Sequence, residues 1–202
     1  MKHRIGYICS GVLAAGALLG SLAWGSDKST SQKLDPKTEA ALKKAEEACA
    51  PGAAHKALDP LVGEWNAEVK MWMAPDAPPT ITKGTAKATW TLKDRYVQQE
   101  FSGEFMGKPF WGISFIGYDN VRQQYRSVWL DDMSTTMVTS DGEAEGKVIT
   151  LGGSYACAMK GEKHKPTKQI YRIISNNKHV FEMHDPTKGE NSKTMEITYT
   201  RK

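Results

Sequence analysis

Long hydrophobic runs and cysteines are both scarce in this chain of 202 residues. One long apolar run occurs, near the amino terminus, so no second segment is available to build a helical membrane bundle. Positive and negative residues are interspersed, and although the net charge is +4, no basic stripe of the kind that nucleic acid requires is present. The chain also lacks phosphate-loop, dinucleotide-binding and nucleophile-elbow motifs. It therefore does not carry the usual sequence motifs of nucleotide-dependent enzymes or serine hydrolases.

The amino terminus has the order of an export signal. Lys2 and Arg4 precede an uncharged stretch from Ile5 to Leu22, and small residues follow up to Gly25. We therefore predict that residues 1–25 are a cleavable signal peptide and that the protein is periplasmic or secreted. The alternative is an uncleaved anchor, but the apolar stretch is short for a membrane span.

Two cysteines, Cys49 and Cys157, remain after the predicted signal peptide. Exported proteins usually pair an even number of cysteines, so we expect a disulfide between them, with two buried thiols as the alternative. The chain has no His-x-His or Cys-x-x-Cys spacing, and we predict no metal site.

Residues 26–52 read as a polar linker followed by a helix. Asp35 is expected to cap the helix, with Pro36 in its first turn, and the alanine-, glutamate- and lysine-rich run ends before Pro51. The segment from 53 to 58 is expected to add one helical turn. Residues 53–202 form the main predicted domain.

From Gly63 onward, short segments alternate polar and apolar residues, which is typical of strands. Most connections are short, including turns expected at 141–142 and 152–153, and longer loops are expected at 74–79 and 161–167. We predict an antiparallel meander of about ten strands that closes into an up-and-down barrel, because closure removes exposed edges. A two-sheet sandwich and an outer-membrane barrel are alternatives. The predicted segments are 63–73, 81–91, 95–105, 110–118, 124–131, 134–139, 147–152, 154–160, 168–175, 178–184 and 193–201.

The Gly63-Glu64-Trp65 sequence resembles the Gly-x-Trp signature that opens many lipocalins. The resemblance implies that Trp65 plugs the closed end of the barrel and that a basic residue of the last strand lies across its ring. Arg201 is placed to be that residue, and a guanidinium group stacks well on an indole.

Over residues 53–202 the chain resembles the bacterial domain-of-unknown-function 1579 family. That resemblance implies a calycin-like barrel and no particular activity. The residues that carry it are His55, Leu61, Gly63-Glu64-Trp65, Gly107-Lys108-Pro109-Phe110, Gly117-Tyr118-Asp119, Tyr125, Trp129-Leu130-Asp131 and Met195-Glu196-Ile197-Thr198-Tyr199-Thr200-Arg201.

Alternation along the strands leaves two arrangements of the lumen open. If Met195, Ile197 and Tyr199 point inward, the lumen is apolar and suits a lipid-like ligand. If the acidic residues point inward, the lumen suits a cationic or hydroxylated ligand. The candidate ligand-binding residues are then Glu100, Trp129, Asp131, Glu182 and Glu196.

We expect a binding protein without a cofactor rather than an enzyme. Haem held by His179 or His184 is an alternative that we do not favour, since a lone histidine is more often structural. The catalytic hypothesis is that Glu100 and Glu182 form an acid–base pair in the lumen. The first hypothesis is a carrier of a small, mostly apolar molecule, and the alternative is a solid-barrel envelope interaction or stress module that works through its loops or helix. The oligomeric state is left open.

Overall fold

The computed structural model of the protein describes residues 35–74, 77–158, 160–189 and 193–202. The predicted signal peptide at 1–25 and the first part of the predicted linker lie outside these described residues. The chain divides into two units, residues 1–39 and residues 40–202, and the described part of the first unit is the start of a helix.

Helix α1 (Pro36–Ala48) begins where the sequence predicts. The Oδ1 atom of Asp35 accepts hydrogen bonds from the backbone N–H groups of Lys37, at 3.0 Å, and Thr38, at 3.1 Å. These bonds satisfy amides that a helix leaves unpaired at its start. A short helix α2 (Ala53–Lys56) and a 3₁₀ turn (Asp59–Leu61) follow. In the described part of the chain, the helices are too short or too polar to cross a membrane.

Within the described residues, ten antiparallel strands form one closed barrel, in which sequence neighbours pair and the first strand also pairs with the last. This confirms the predicted fold class. The strands are β1 (Gly63–Met71), β2 (Thr80–Thr91), β3 (Tyr96–Phe105), β4 (Lys108–Asp119), β5 (Gln124–Asp131), β6 (Val138–Glu145), β7 (Val148–Cys157), β8 (Glu162–Ser175), β9 (Lys178–His184) and β10 (Lys193–Arg201).

The turns expected at 141–142 and 152–153 are wrong, because both segments lie inside strands β6 and β7. A β-carbon at Gly142 or Gly153 would overlap a carbonyl oxygen of the facing strand. These glycines therefore let two strands approach closely instead of making turns. The turn between the strands contains Gly146, whose φ of +57° suits glycine.

The long loop expected at 161–167 is also wrong, since β8 begins at Glu162. Its hydrogen-bond ladder with β7 continues through Lys165 and Thr167, so this polar run belongs to the wall. The longer connection expected at 74–79 does lie between strands, after β1 and before β2.

The segment from α2 to the start of β1 covers one end of the barrel, which we call the closed end. Its Leu58 and Leu61 are buried. The Trp90 ring N–H donates to the Asp59 carboxylate at 2.9 Å, and the Tyr125 hydroxyl donates to the Ala54 carbonyl at 3.0 Å. The buried apolar residues here form the floor cluster: Leu58, Leu61, Ala88, Val97, Ile116, Tyr125, Ile149, Leu151 and Ile173.

Cys49 and Cys157 are both free, so the expected disulfide is not formed in this structure. The Asn120 side chain donates to the carbonyls of Ala48 and Ala50, which places Cys49 beside the β4–β5 turn at the closed end. Cys157 ends β7, a strand of 10 residues, at the opposite, open end. That strand spans roughly 30 Å, whereas a disulfide requires Cα atoms within about 7 Å.

Candidate functional site

The closed end is built around Trp65, which is 0% exposed. Its ring N–H donates to the Leu61 carbonyl at 3.0 Å. The guanidinium carbon of Arg201 lies 4.3 Å from the centre of the Trp65 ring. The two residues also face each other in the β1–β10 pairing. The indole thus fills the space above the covering segment and seals the bottom of the lumen.

Arg201 is held in place by two backbone carbonyls as well as by the ring. Its Nε donates to the Asn176 carbonyl at 2.7 Å, and its Nη1 donates to the Val62 carbonyl at 3.1 Å. Gly63 has a φ of +144°, and a β-carbon there would overlap Nη1. The first residue of the Gly-x-Trp sequence is therefore required both by its backbone conformation and by the room that the guanidinium group occupies.

Above the floor cluster, the barrel encloses a cavity of about 450 Å³ that reaches the open end. This volume differs from the filled lumen that a solid barrel would have. Most of the lining is apolar, and the upper part is dominated by aromatic and sulfur-containing side chains. These are Met71, Phe101, Phe105, Phe110, Trp129, Phe181, Met183 and Met195.

Inward-facing glycines make room for the large rings of the lining. A β-carbon at Gly84 would come within 2.7 Å of the Phe101 ring, and one at Gly112 would overlap the Trp129 ring. Each aromatic ring therefore lies across the backbone of a neighbouring strand. Phe110 stacks on Trp129 with a centroid distance of 6.1 Å and an interplanar angle of 22°. The rings line the wall and leave the centre of the barrel open.

A band of uncharged polar side chains crosses the lower part of the cavity, and we call it the polar layer. It consists of Gln99, Ser127, Gln169, Tyr171, His179 and Tyr199. The Gln99 Nε2 donates to the Tyr199 hydroxyl at 3.2 Å, and the Ser127 hydroxyl donates to the Gln169 carboxamide oxygen at 3.3 Å. Each bond joins strands that are not neighbours, so the layer connects separate parts of the wall.

The depth of the polar layer follows from strand alternation. Moving away from the closed end along β10, the next inward-facing residue after Arg201 is Tyr199. On β3, the next inward-facing residue after Val97 is Gln99. Ser127 follows Tyr125 on β5. The layer therefore lies immediately above the floor cluster, with the aromatic and methionine lining between it and the open end.

His179 is the most enclosed member of the polar layer, with 2% exposure. Its ring stacks on Tyr199 at 4.4 Å and meets the edge of Trp65 at 4.5 Å. Among the described residues, its Nδ1 has no hydrogen-bond partner. Burial, together with the charge of Arg201, lowers the pKa of His179 to about 3, so the ring is neutral.

The two tyrosines of the layer are neutral as well. Burial raises the pKa of Tyr171 and of Tyr199 above the ordinary tyrosine value. The layer therefore offers hydrogen bonds without a formal charge.

Trp129 and Asp131 line the cavity near the open end. The Trp129 ring N–H donates to the Asp131 carboxylate at 3.0 Å, and the same carboxylate accepts the backbone N–H of Met133 at 3.1 Å. These bonds fix the indole against the wall and hold the acid at the rim. Of the predicted ligand-binding residues, these two are the ones that the structure brings to the cavity.

Glu100, Glu182 and Glu196 do not line the cavity, so of the two arrangements that the sequence leaves open, the acidic one is not found. Their inward-facing neighbours Phe101, Phe181 and Ile197 line it instead. Glu100 is exposed. The three acids therefore occupy the outer wall, and an acid–base pair of Glu100 and Glu182 inside the lumen is excluded.

Glu182 and Glu196 belong to an ionic cluster on the outer wall. Lys193 Nζ lies 2.7 Å from a Glu182 oxygen and 2.6 Å from a Glu196 oxygen, and Arg172 lies 3.3 Å from Glu182. Burial favours the neutral acid, but Lys193 and Arg172 outweigh it and lower the pKa of Glu182. These charges are satisfied by one another and are not available to a ligand in the lumen.

The two histidines considered for haem are separated by the wall. His179 faces the lumen, whereas His184 lies outside, with its Nε2 3.4 Å from a Glu182 oxygen. His55, at the closed end, accepts the backbone N–H of Gly52 at 3.1 Å through Nδ1. Within the described residues, no group of His, Cys, Asp and Glu side chains is arranged to hold a metal ion.

Together, the sealed end, the open end and the enclosed apolar lumen define a calycin-like barrel. The chain belongs to the family described as protein of unknown function (DUF1579), whose model matches residues 50–201. No curated protein matches the chain.

The chain is similar to solved structures. The crystal structure of Rv2717c from M. tuberculosis is 16% identical with a TM-score of 0.54, and the match covers 76% of this chain and 99% of that chain. A redesigned β-barrel, b11L5F_LGL, is 12% identical with a TM-score of 0.37, covering 74% of this chain and 95% of that one. The likeness to Rv2717c supports the barrel architecture alone.

Proposed function

We propose that this protein is an exported barrel that binds a small, mostly apolar molecule in its lumen. The observation that carries the proposal is the enclosed apolar cavity of about 450 Å³. This volume lies within the range of about 300–1,000 Å³ that is usual for ligand sites. It is also about three times that of an engineered cavity that holds benzene, which suggests a ligand of roughly 20 non-hydrogen atoms.

The arrangement of reactive groups supports binding rather than catalysis. The thiol and the imidazole of the described lining, those of Cys157 and His179, lie towards opposite ends of the cavity. A nucleophile and its base must lie within hydrogen-bond reach, at about 3 Å. The acids in the described lining, Glu104 and Asp131, are at the open end, away from the enclosed part.

A fluorescence titration with N-phenylnaphthylamine, a neutral apolar dye, tests the proposal. We expect the wild-type protein to bind one dye molecule, with a blue shift and saturable enhancement of its emission. In Ser127→Trp, the new indole points into the cavity, and we expect affinity for the dye to fall by at least about tenfold. Arg126→Trp is the matched control, since residue 126 is the exposed neighbour on the outer face.

Circular dichroism and thermal unfolding of both variants show whether they are folded. The proposal is wrong if wild-type protein does not bind the dye. It is equally wrong if folded Ser127→Trp binds the dye as tightly as Arg126→Trp, because the dye would then lie outside the lumen.

Export is tested by fractionating the host and measuring the intact mass of the protein. We expect the protein in the periplasm or medium, with a mass that corresponds to cleavage after residue 23 or 25. A full-length chain in the cytoplasm would contradict the predicted signal peptide and would leave the cavity proposal standing.

A further inference from the structure

We infer that the ligand is an electrically neutral molecule with one hydroxyl or carbonyl group, which lies deepest and hydrogen-bonds to the polar layer. This inference rests on the proposed function and adds the chemical class and the orientation of the ligand. The apolar body of the molecule would then lie among the aromatic and methionine side chains nearer the open end.

The position of the polar groups in the cavity determines the orientation of the ligand. Gln99, Ser127 and Tyr199 lie immediately above the floor cluster, whereas Phe105, Phe110 and other large apolar side chains line the cavity towards its mouth. A polar group placed halfway up would be desolvated without a partner, which costs free energy. A ligand with one polar end therefore satisfies that end best at the bottom of the cavity.

The charge of the cavity lining determines the chemical class of the ligand. Among the described lining residues, the acids are Glu104 and Asp131, both near the open end, and there is no lysine or arginine. The nearest guanidinium group, that of Arg201, lies over the Trp65 ring and donates to backbone carbonyls. A carboxylate or ammonium group in the polar layer would be buried without an opposite charge, which proteins rarely tolerate. Fatty-acid anions and amines are therefore disfavoured.

The polar layer also has hydrogen-bonding capacity to spare. His179 lines the cavity, is 2% exposed, and has an Nδ1 atom without a partner in the part of the chain that the structure describes. A neutral imidazole offers one donor and one acceptor, and a carboxamide offers two donors and one acceptor oxygen. A buried group of this kind is usually satisfied, so an unpaired atom here points to a partner that enters from the cavity.

Calorimetric titration at neutral pH with naphthalene, naphthol and naphthoate tests the inference, because the three probes share one ring system. We expect naphthol to bind at least about threefold more tightly than naphthalene, as one or more hydrogen bonds would give. We expect naphthoate to bind at least about tenfold more weakly than naphthalene, because its charge must be desolvated.

Two variants show whether the polar layer causes the preference. Gln169→Leu and His179→Phe each keep the approximate shape of the side chain, and we expect both to reduce the naphthol-to-naphthalene ratio towards one. Gln98→Leu is the matched control on the outer face, because Gln98 alternates with the inward-facing Gln99. If one variant fails to fold, the naphthol-to-naphthalene ratio of the other still tests the role of the polar layer.

The outcomes separate the inference from the proposed function. Tight binding of naphthoate, equal binding of naphthol and naphthalene, or a preference that survives in folded Gln169→Leu and His179→Phe would overturn the inference. Binding of naphthalene in those cases would still support an apolar cavity. Absence of binding by all three probes and by the dye would overturn both.

Discussion

The closed end and the cavity half of this barrel have the same strand alternation but opposite packing. At the closed end, Trp65, Leu58 and Leu61 fill the lumen, and the segment from α2 to β1 covers it. In the cavity half, large side chains such as Phe101 and Trp129 lie across glycine backbone and leave the centre empty. Side-chain packing at the closed end stabilises the barrel, so the cavity half can remain unfilled.

The comparison shows which side chains serve stability and which serve binding. A buried side chain that contacts others on all sides contributes the full free energy of its burial. A side chain that lines a cavity contributes less to folding, because one side of it lacks protein contacts. Substitutions at the two ends should therefore separate loss of stability from loss of ligand affinity.

Substitution of Trp65 should destabilise the protein more than any of the other substitutions. Trp65→Ala should lower the free energy of unfolding by about 3–5 kcal/mol, because it leaves a large void and removes the surface on which Arg201 stacks. Trp129→Ala should cost less than half as much and should weaken dye binding instead, since Trp129 is partly buried and lines the cavity. Urea unfolding and dye titration measure the two effects. Equal losses of stability at both sites would contradict the contrast between the two ends.

The next largest effect is a loss of stability in acid, which arises from His179 in the polar layer. His179 has a folded-state pKa of about 3, against an ordinary value of 6.5, because it is buried and near Arg201. Between these values the unfolded chain binds a proton that the folded chain does not, so stability is complete above 6.5 and falls as the pH is lowered. The loss is at most about 1.4 kcal/mol per pH unit, or up to about 3 kcal/mol between pH 6.5 and the onset of carboxylate titration.

Urea unfolding at several pH values measures this slope. Burial also lowers the pKa of His55, which adds a smaller contribution of the same sign. His179→Phe should flatten most of the slope, because it removes the group whose pKa burial lowers to about 3 in the folded protein. A slope that persists in folded His179→Phe would show that His179 is not the group that resists protonation.

A smaller effect is expected at Gly63. Gly63→Ala should cost about 2 kcal/mol, because the new methyl group overlaps the Arg201 guanidinium and because alanine is strained at a φ of +144°. Gly152→Ala is the control, since no atom lies within 4 Å of a β-carbon there. Thermal unfolding compares the two, and equal melting temperatures would contradict the proposed role of Gly63 in admitting Arg201.

Much of the fold could be predicted from the sequence. The alternation after Gly63 marked most strands, including β5, β9 and β10 with the observed bounds. The errors include 141–142 and 152–153, where glycine was interpreted as a turn signal, and 161–167, where a polar run was interpreted as a loop. Gly142 and Gly153 instead relieve close contacts between strands, and a single sequence does not distinguish these two uses of glycine.

The candidate site was less accessible to sequence reasoning. Alternation shows which residues share a face but not which face is the lumen, so Glu182 and Phe181 were equally eligible. The polar layer was missed because Gln99, Ser127 and Gln169 lie on three separate strands and meet only when the barrel closes. The one usable signal was Arg201, whose expected place beside Trp65 puts Tyr199 and the rest of that face of β10 inward.

Native mass spectrometry of protein purified from its own host shows whether the cavity holds a ligand. We expect a complex with one small molecule, uncharged and soluble in organic solvent, which Ser127→Trp loses and Arg126→Trp keeps. Protein that carries no such molecule, and that also fails to take up the neutral dye, would contradict the claim that the open half of the barrel is a binding site.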